Sequence, residues 1–179
     1  SQTSGSIRPT IRLAGVASCF LAVVLAAVSH GSFWIDECGT ARFAGHAYIL
    51  DMWRDLLASK FADVQLPFYM AYVWAFEKIF GHGEWTLRVS ALPFFAGGMT
   101  LLATALARRT GRFWPSLAAL GLSPFAWYYL NEARPYAIQM GITAMIVAAL
   151  LRLSEPLAAP SRTQSRWLAV FLIGVVLLS

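Results

Sequence analysis

Leu66-Pro67-Phe68-Tyr69-Met70-Ala71-Tyr72-Val73-Trp74-Ala75-Phe76-Glu77-Lys78-Ile79-Phe80 is the stretch on which the fold turns. It is apolar and aromatic, but Glu77 and Lys78 leave only about eleven residues free of charge, and its full length makes roughly 22 Å of helix. The hydrocarbon core of a bilayer is about 30 Å thick. Whether this run crosses a membrane sets the side on which every later segment lies.

Outward from it, four runs are long enough to cross as helices: 13–29, 89–107, 113–130 and 136–151. A fifth, 167–179, is apolar to its last residue and stops mid-span, as in a fragment of a longer protein. The 179 residues are 58% apolar and 13% charged, about half the roughly 25% charge of a soluble domain. That composition excludes a disordered chain, and two cysteines exclude a disulfide scaffold. The expected fold is all-α: a multi-pass transmembrane helical bundle.

Positive-inside counting decides the topology. If Leu66–Phe80 does not span, Arg8, Arg12, Arg108, Arg109, Arg112, Arg152, Arg162 and Arg166 share one side with the single acid Glu155. The opposite side then holds Asp36, Glu37, Asp51, Asp55, Asp63, Glu77, Glu84 and Glu132. If it spans, the later arginine clusters move outside. The non-spanning arrangement wins: the N-terminus is cytoplasmic, and residues 31–84 form one long external loop carrying interfacial helices. Within that loop Ile49, Trp53, Leu56 and Leu57 repeat at helical spacing, with Asp51, Arg54 and Asp55 on the other side, a pattern that suits a helix lying on a membrane surface. The net charge of +5 is thus a topology signal and predicts no nucleic-acid partner.

Chemistry-bearing residues gather on the external side. Asp36-Glu37 follows the first span; a carboxylate there suits a general base acting on a hydroxyl, and equally an acidic helix start. Arg88 lies four residues after Glu84, spaced for a helical ion pair, for snorkelling, or for holding a phosphate at the membrane surface. A short external turn places Glu132 and Arg134 between two spans, with Pro135 suited to a helix start. His30, His46 and His82 have no metal-ligand spacing, and no metal is expected. Gly97-Gly98 within a span suits close helix packing.

Taken in order, Trp34-Ile35-Asp36-Glu37, Gln65-Leu66-Pro67-Phe68-Tyr69, Phe80-Gly81-His82-Gly83-Glu84-Trp85-Thr86-Leu87-Arg88, Ser123-Pro124-Phe125 and Glu132-Ala133-Arg134-Pro135-Tyr136 resemble the lipid-linked-sugar glycosyltransferases of the GT-C superfamily. The likeness is to the bacterial branch related to protein O-mannosyltransferases and lipid A aminoarabinose transferases, and it runs from about Ser32 to Leu151. It implies an enzyme of the bacterial inner membrane with its active site on the periplasmic face. The enzyme would transfer a sugar, with inversion, from a polyprenyl-phosphate carrier to a hydroxyl of a glycan, lipid or protein, and would need no cofactor beyond that donor. Asp36 matches the catalytic acid. Glu37, Gln65, Arg88, Glu132, Arg134 and Tyr136 fall at substrate-binding positions, with Arg88 on the carrier phosphate. Gln65 departs from the pattern, since related chains commonly read His-Pro-Pro-Leu there. Family members are several times longer, so the chain reads as the N-terminal part of such an enzyme. The other class of function is a non-catalytic polyprenyl-phosphate binder, a flippase component or scaffold, for which an acid beside the phosphate has no use.

Overall fold

The computed structural model describes residues 9–28, 33, 35–60, 62–155 and 162–178. Arg8, His30 and Trp34 lie outside the described residues. Ten helices are described: α1 (Pro9–Ala27), α2 (Ile35–Ala44), α3 (Ile49–Ser59), α4 (Pro67–Phe80), α5 (Glu84–Val89), α6 (Leu92–Thr110), α7 (Phe113–Gly121), α8 (Pro124–Leu130), α9 (Tyr136–Leu153) and α10 (Arg162–Leu178), with a 3-10 turn at Ala62–Gln65. Among the described residues there is no strand, and the fold is all-α. Two helices, Glu84–Thr110 and Tyr136–Leu153, are long and apolar enough to cross a bilayer.

The third expected span, 113–130, is two helices instead of one. Pro124 has no N–H to continue the ladder of α7, and Ser123 before it takes an extended backbone (φ −63°, ψ 120°). The break is closed locally. The Leu122 N–H bonds the Ala118 carbonyl at 2.8 Å, and the Trp127 indole N–H donates to the Gly121 carbonyl at 2.6 Å, satisfying an acceptor at the end of α7. The second expected span also begins earlier than 89, because α5 leads into α6 across only Ser90 and Ala91. At its far end Gly111, at φ 70°, takes the left-handed turn that other residues adopt at a cost, and its N–H bonds Ala107.

Helices α6 and α9 run side by side in the same direction. Phe94 and Gly98 of α6 meet Gly141 of α9, Gly97 lies near Met145, and Arg109 donates to the Leu151 carbonyl and the Ser154 hydroxyl. The contact is backbone to backbone: a Cβ on Gly98 would lie 2.1 Å from the Gly141 oxygen. Small residues permit that approach, and dispersion contacts hold it where helices sit in an apolar medium. Helix α1 and α7 pack on α6, and α10 packs on α9.

One end of this bundle carries Arg109 and the Arg152–Glu155 pair; the other carries the loop helices α2, α3 and α4. Helix α4 presents Tyr69, Met70, Val73 and Glu77 to the core. On α3 the inward stripe is Met52 and Leu56, flanked by Ile49 and Trp53, while Leu57 is 62% exposed. The expected stripe is therefore rotated, with Met52 in the place of Leu57. Asp55 ties α3 to α2: its carboxylate accepts from Arg42 at 2.9 Å and pairs with His46 at 3.2 Å. Those partners, the His46 hydrogen bond foremost, hold its carboxyl below the usual 3.8.

The helix contact makes a sharp expectation. Gly98→Ala forces α6 and α9 apart and lowers the stability of the purified protein by about 1–3 kcal/mol. Gly97→Ala, whose Cβ meets only the flexible Met145 tip at 3.6 Å, changes it by less than about 0.5 kcal/mol. Thermal unfolding of the two variants in detergent checks this; equal losses contradict the close approach.

Candidate functional site

The end of the bundle that carries the loop helices is built from two arginines and three acids. Adjacent residues on a helix point about 100° apart, so α2 separates Asp36 from Glu37. Asp36 is exposed, and Glu37 is turned inward with 1% of its surface accessible. Arg88, buried at 2% exposure, meets Glu37 in a two-pronged pair: Nε donates to Oε1 at 3.2 Å and an Nη donates to Oε2 at 3.0 Å. The Ala133 N–H, from the turn between α8 and α9, donates to the same Oε1. The Phe33 ring lies 5.5 Å from the guanidinium carbon. Two charges removed from water require this density of partners.

One expectation is corrected here. The partner of Arg88 is Glu37, not Glu84 four residues away. Glu37 and Arg88, both expected at substrate-binding positions, are buried, and they hold one another and the α8–α9 turn.

Arg134 is the arginine that reaches the outside of this cluster. Its side chain is 15% exposed, and Nη1 lies 3.4 Å from the carboxylate of Asp63 and 3.5 Å from the backbone carbonyl of Asp36. Asp63, 2% exposed, also accepts the Thr40 hydroxyl at 3.0 Å. Burial works against the Arg134 charge, but the Asp63 carboxylate and a hydrogen bond to Tyr136 outweigh it and raise its pKa. The Tyr69 hydroxyl donates to the Ala133 carbonyl at 3.0 Å. Burial, reinforced by the charge of Asp63, pushes Tyr69 well above its ordinary value, so it stays a proton donor.

The remaining expected positions are spread around this cluster. Tyr136, 40% exposed, stacks against Tyr129 with ring centres 4.8 Å apart. Glu132 is half-buried and accepts the Tyr128 hydroxyl. Gln65 is exposed at the end of the 3-10 turn. Among the described residues neither Gln65 nor Glu132 bonds to an arginine. Sequence reasoning passes over Thr40, Asp63 and Tyr69. The available signal for two of them is position: Asp63 and Tyr69 flank Gln65-Leu66-Pro67-Phe68. Nothing in the sequence marks Thr40. Among the described residues no group of three metal-ligating side chains occurs.

Tyr136 also stands at the edge of an apolar groove of about 420 Å³, lined by Met99, Leu102, Leu120, Tyr129, Met140 and Val147 among others. The groove follows α9 away from Arg134. Neither Asp36 nor Arg134 lines the groove; Tyr136, two residues after Arg134, does. No protein-family model matches the chain, and no curated protein or solved structure matches it.

The Glu37–Arg88 assignment is testable without knowing the substrate. Glu37→Gln leaves the Arg88 charge buried without its counterion and destabilises the protein by about 3–5 kcal/mol. Glu84→Gln changes stability by less than about 0.5 kcal/mol. Unfolding of both variants decides between the two partners, and a large loss in Glu84→Gln with none in Glu37→Gln reverses the assignment.

Proposed function

We propose that the chain belongs to a multi-pass membrane glycosyltransferase that moves a sugar from a polyprenyl-phosphate carrier to an acceptor hydroxyl on the non-cytoplasmic face. The observation that carries this reading is the placement of Asp36: an exposed carboxylate whose own backbone carbonyl is held by Arg134. Acid and cation thus lie close together, and Tyr136, two residues after Arg134, lines the apolar groove. Support also comes from charge. The arginine-rich end at Arg109 and Arg152 lies at the far end of α6 and α9 from Asp36, Glu37 and Asp63, as positive-inside orientation requires of a bundle spanning a bilayer. The resemblance implies that this bilayer is the bacterial inner membrane.

In this reading the prenyl chain lies in the groove along α9, and the phosphate meets Arg134 at its head. The acceptor oxygen loses its proton to the Asp36 carboxylate and attacks the anomeric carbon. The bond from that carbon to the phosphate oxygen breaks, and the electron pair leaves on polyprenyl phosphate. A single displacement from the opposite face inverts the anomeric centre. Negative charge grows on the departing phosphate, where the guanidinium of Arg134 offsets it. Arg88 keeps the frame in place through Glu37 and does not itself take the phosphate. Because the activated sugar arrives on a lipid, no nucleotide-binding fold is needed.

Asp36→Asn keeps size and hydrogen bonding while removing basicity. Turnover falls by about two to four orders of magnitude, the usual range for a general base, while carrier affinity and melting temperature stay near wild type. Transfer assays alongside carrier binding check this. An Asp36→Asn protein with normal turnover removes Asp36 from the reaction.

A further inference from the structure

The acid nearest the Arg134 guanidinium is not one that the reaction uses. Asp63 sits in the 3-10 turn that joins the surface helix α3 to α4, yet it is 2% exposed and faces α2 and the α8–α9 turn. One of its oxygens takes the Thr40 hydroxyl at 3.0 Å, and its carboxylate lies 3.4 Å from Nη1 of Arg134. That same Nη1 lies 3.5 Å from the Asp36 carbonyl. Nη1 of Arg134 is therefore shared between Asp63 and the backbone of the proposed base, with Tyr136 also beside the guanidinium. A guanidinium is planar and rigid, so contacts from several sides limit the directions in which its remaining N–H groups can point. With 15% of the side chain exposed, the face that remains accessible is small and set in orientation.

The geometry points to Asp63 as a positioning residue: held by Thr40, it orients Arg134 so that the guanidinium meets an anionic phosphate beside Asp36. This rests on the proposed function for the identity of the phosphate. It assigns Asp63 no contact with substrate and no proton transfer. A long flexible arginine that must be ordered at each encounter loses side-chain entropy on binding; one already ordered by a buried carboxylate does not. The alternative, in which Asp63 and Arg134 only neutralise one another, has the opposite consequence. A purely neutralising acid competes with the phosphate, and removing it tightens binding. A positioning acid improves the phosphate contact, and removing it weakens binding.

The test uses the intact protein in lipid nanodiscs and two probes, a polyprenyl monophosphate and the matching polyprenol without phosphate. Wild type binds the phosphate more tightly than the alcohol. Asp63→Asn weakens binding of the monophosphate by about tenfold, within the range measured for directly coupled residues, and leaves the polyprenol unchanged. Arg134→Gln loses a similar factor, and the double variant loses no more than the single ones. Thr40→Val, which releases only the far side of Asp63, moves affinity in the same direction by a smaller factor and serves if Asp63→Asn folds poorly. Tighter monophosphate binding in Asp63→Asn, additive losses in the double variant, or equal loss for both probes each overturns the assignment. A wild-type protein that does not distinguish the two probes overturns the phosphate site itself, and with it this inference.

Discussion

Everything at the functional end depends on the buried pair between Glu37 and Arg88. Neither charge can be left alone in that position, because an isolated ion out of water costs several kcal/mol. Each is therefore obliged to find the other, and the obligation is geometric: two N–H groups of Arg88 on two oxygens of Glu37, with the Ala133 N–H on the same carboxylate. Three segments distant in sequence, α2, α5 and the α8–α9 turn, are brought to one point. A buried ion pair often adds little net stability over well-packed apolar residues. What it supplies here is register, since slipping any of the three segments by a residue leaves a charge unpaired.

That register places the neighbours. With Glu37 turned inward, the helix phase of α2 turns Asp36 outward. With Ala133 fixed, the next residue, Arg134, reaches across to the Asp36 carbonyl and to Asp63. Tyr69 reinforces the same turn through the Ala133 carbonyl. One arginine thus frames the site, and the other reaches its surface. The rest of the bundle serves this end from below. The backbone contact of Gly98 with Gly141 locks α6 to α9, so the starts of those helices, and Arg88 and Arg134 near them, keep a fixed separation.

The all-helical fold and the short α4 were legible because charge and length are local properties. Glu77 and Lys78 shorten the apolar run, and Pro67 and Gly81 bound the helix that forms. The break at Pro124 was present in the sequence too, but a count of apolar residues passes over it; the residue's missing N–H is what divides 113–130. The site was half legible. Asp36, Glu37, Arg88 and Arg134 lie at one end of the bundle, yet their surroundings separate only once helix phase is known. Which of two adjacent acids faces inward depends on a partner 51 residues away. Asp63 was hidden for a similar reason. In sequence it is one more acid in a loop, and only the fold brings it to Thr40 and Arg134.

The central claim is transfer of a lipid-carried sugar at the face shared by Asp36 and Arg134. It is tested most directly by supplying the intact protein in nanodiscs with a panel of radiolabelled polyprenyl-phosphate sugars together with glycan, lipid and protein acceptors. The account predicts that at least one donor loses its label to an acceptor with inversion at the anomeric carbon and with stoichiometric release of polyprenyl phosphate. Tight binding of the carrier without transfer from any donor contradicts it, and leaves a protein that holds polyprenyl phosphate without reacting it.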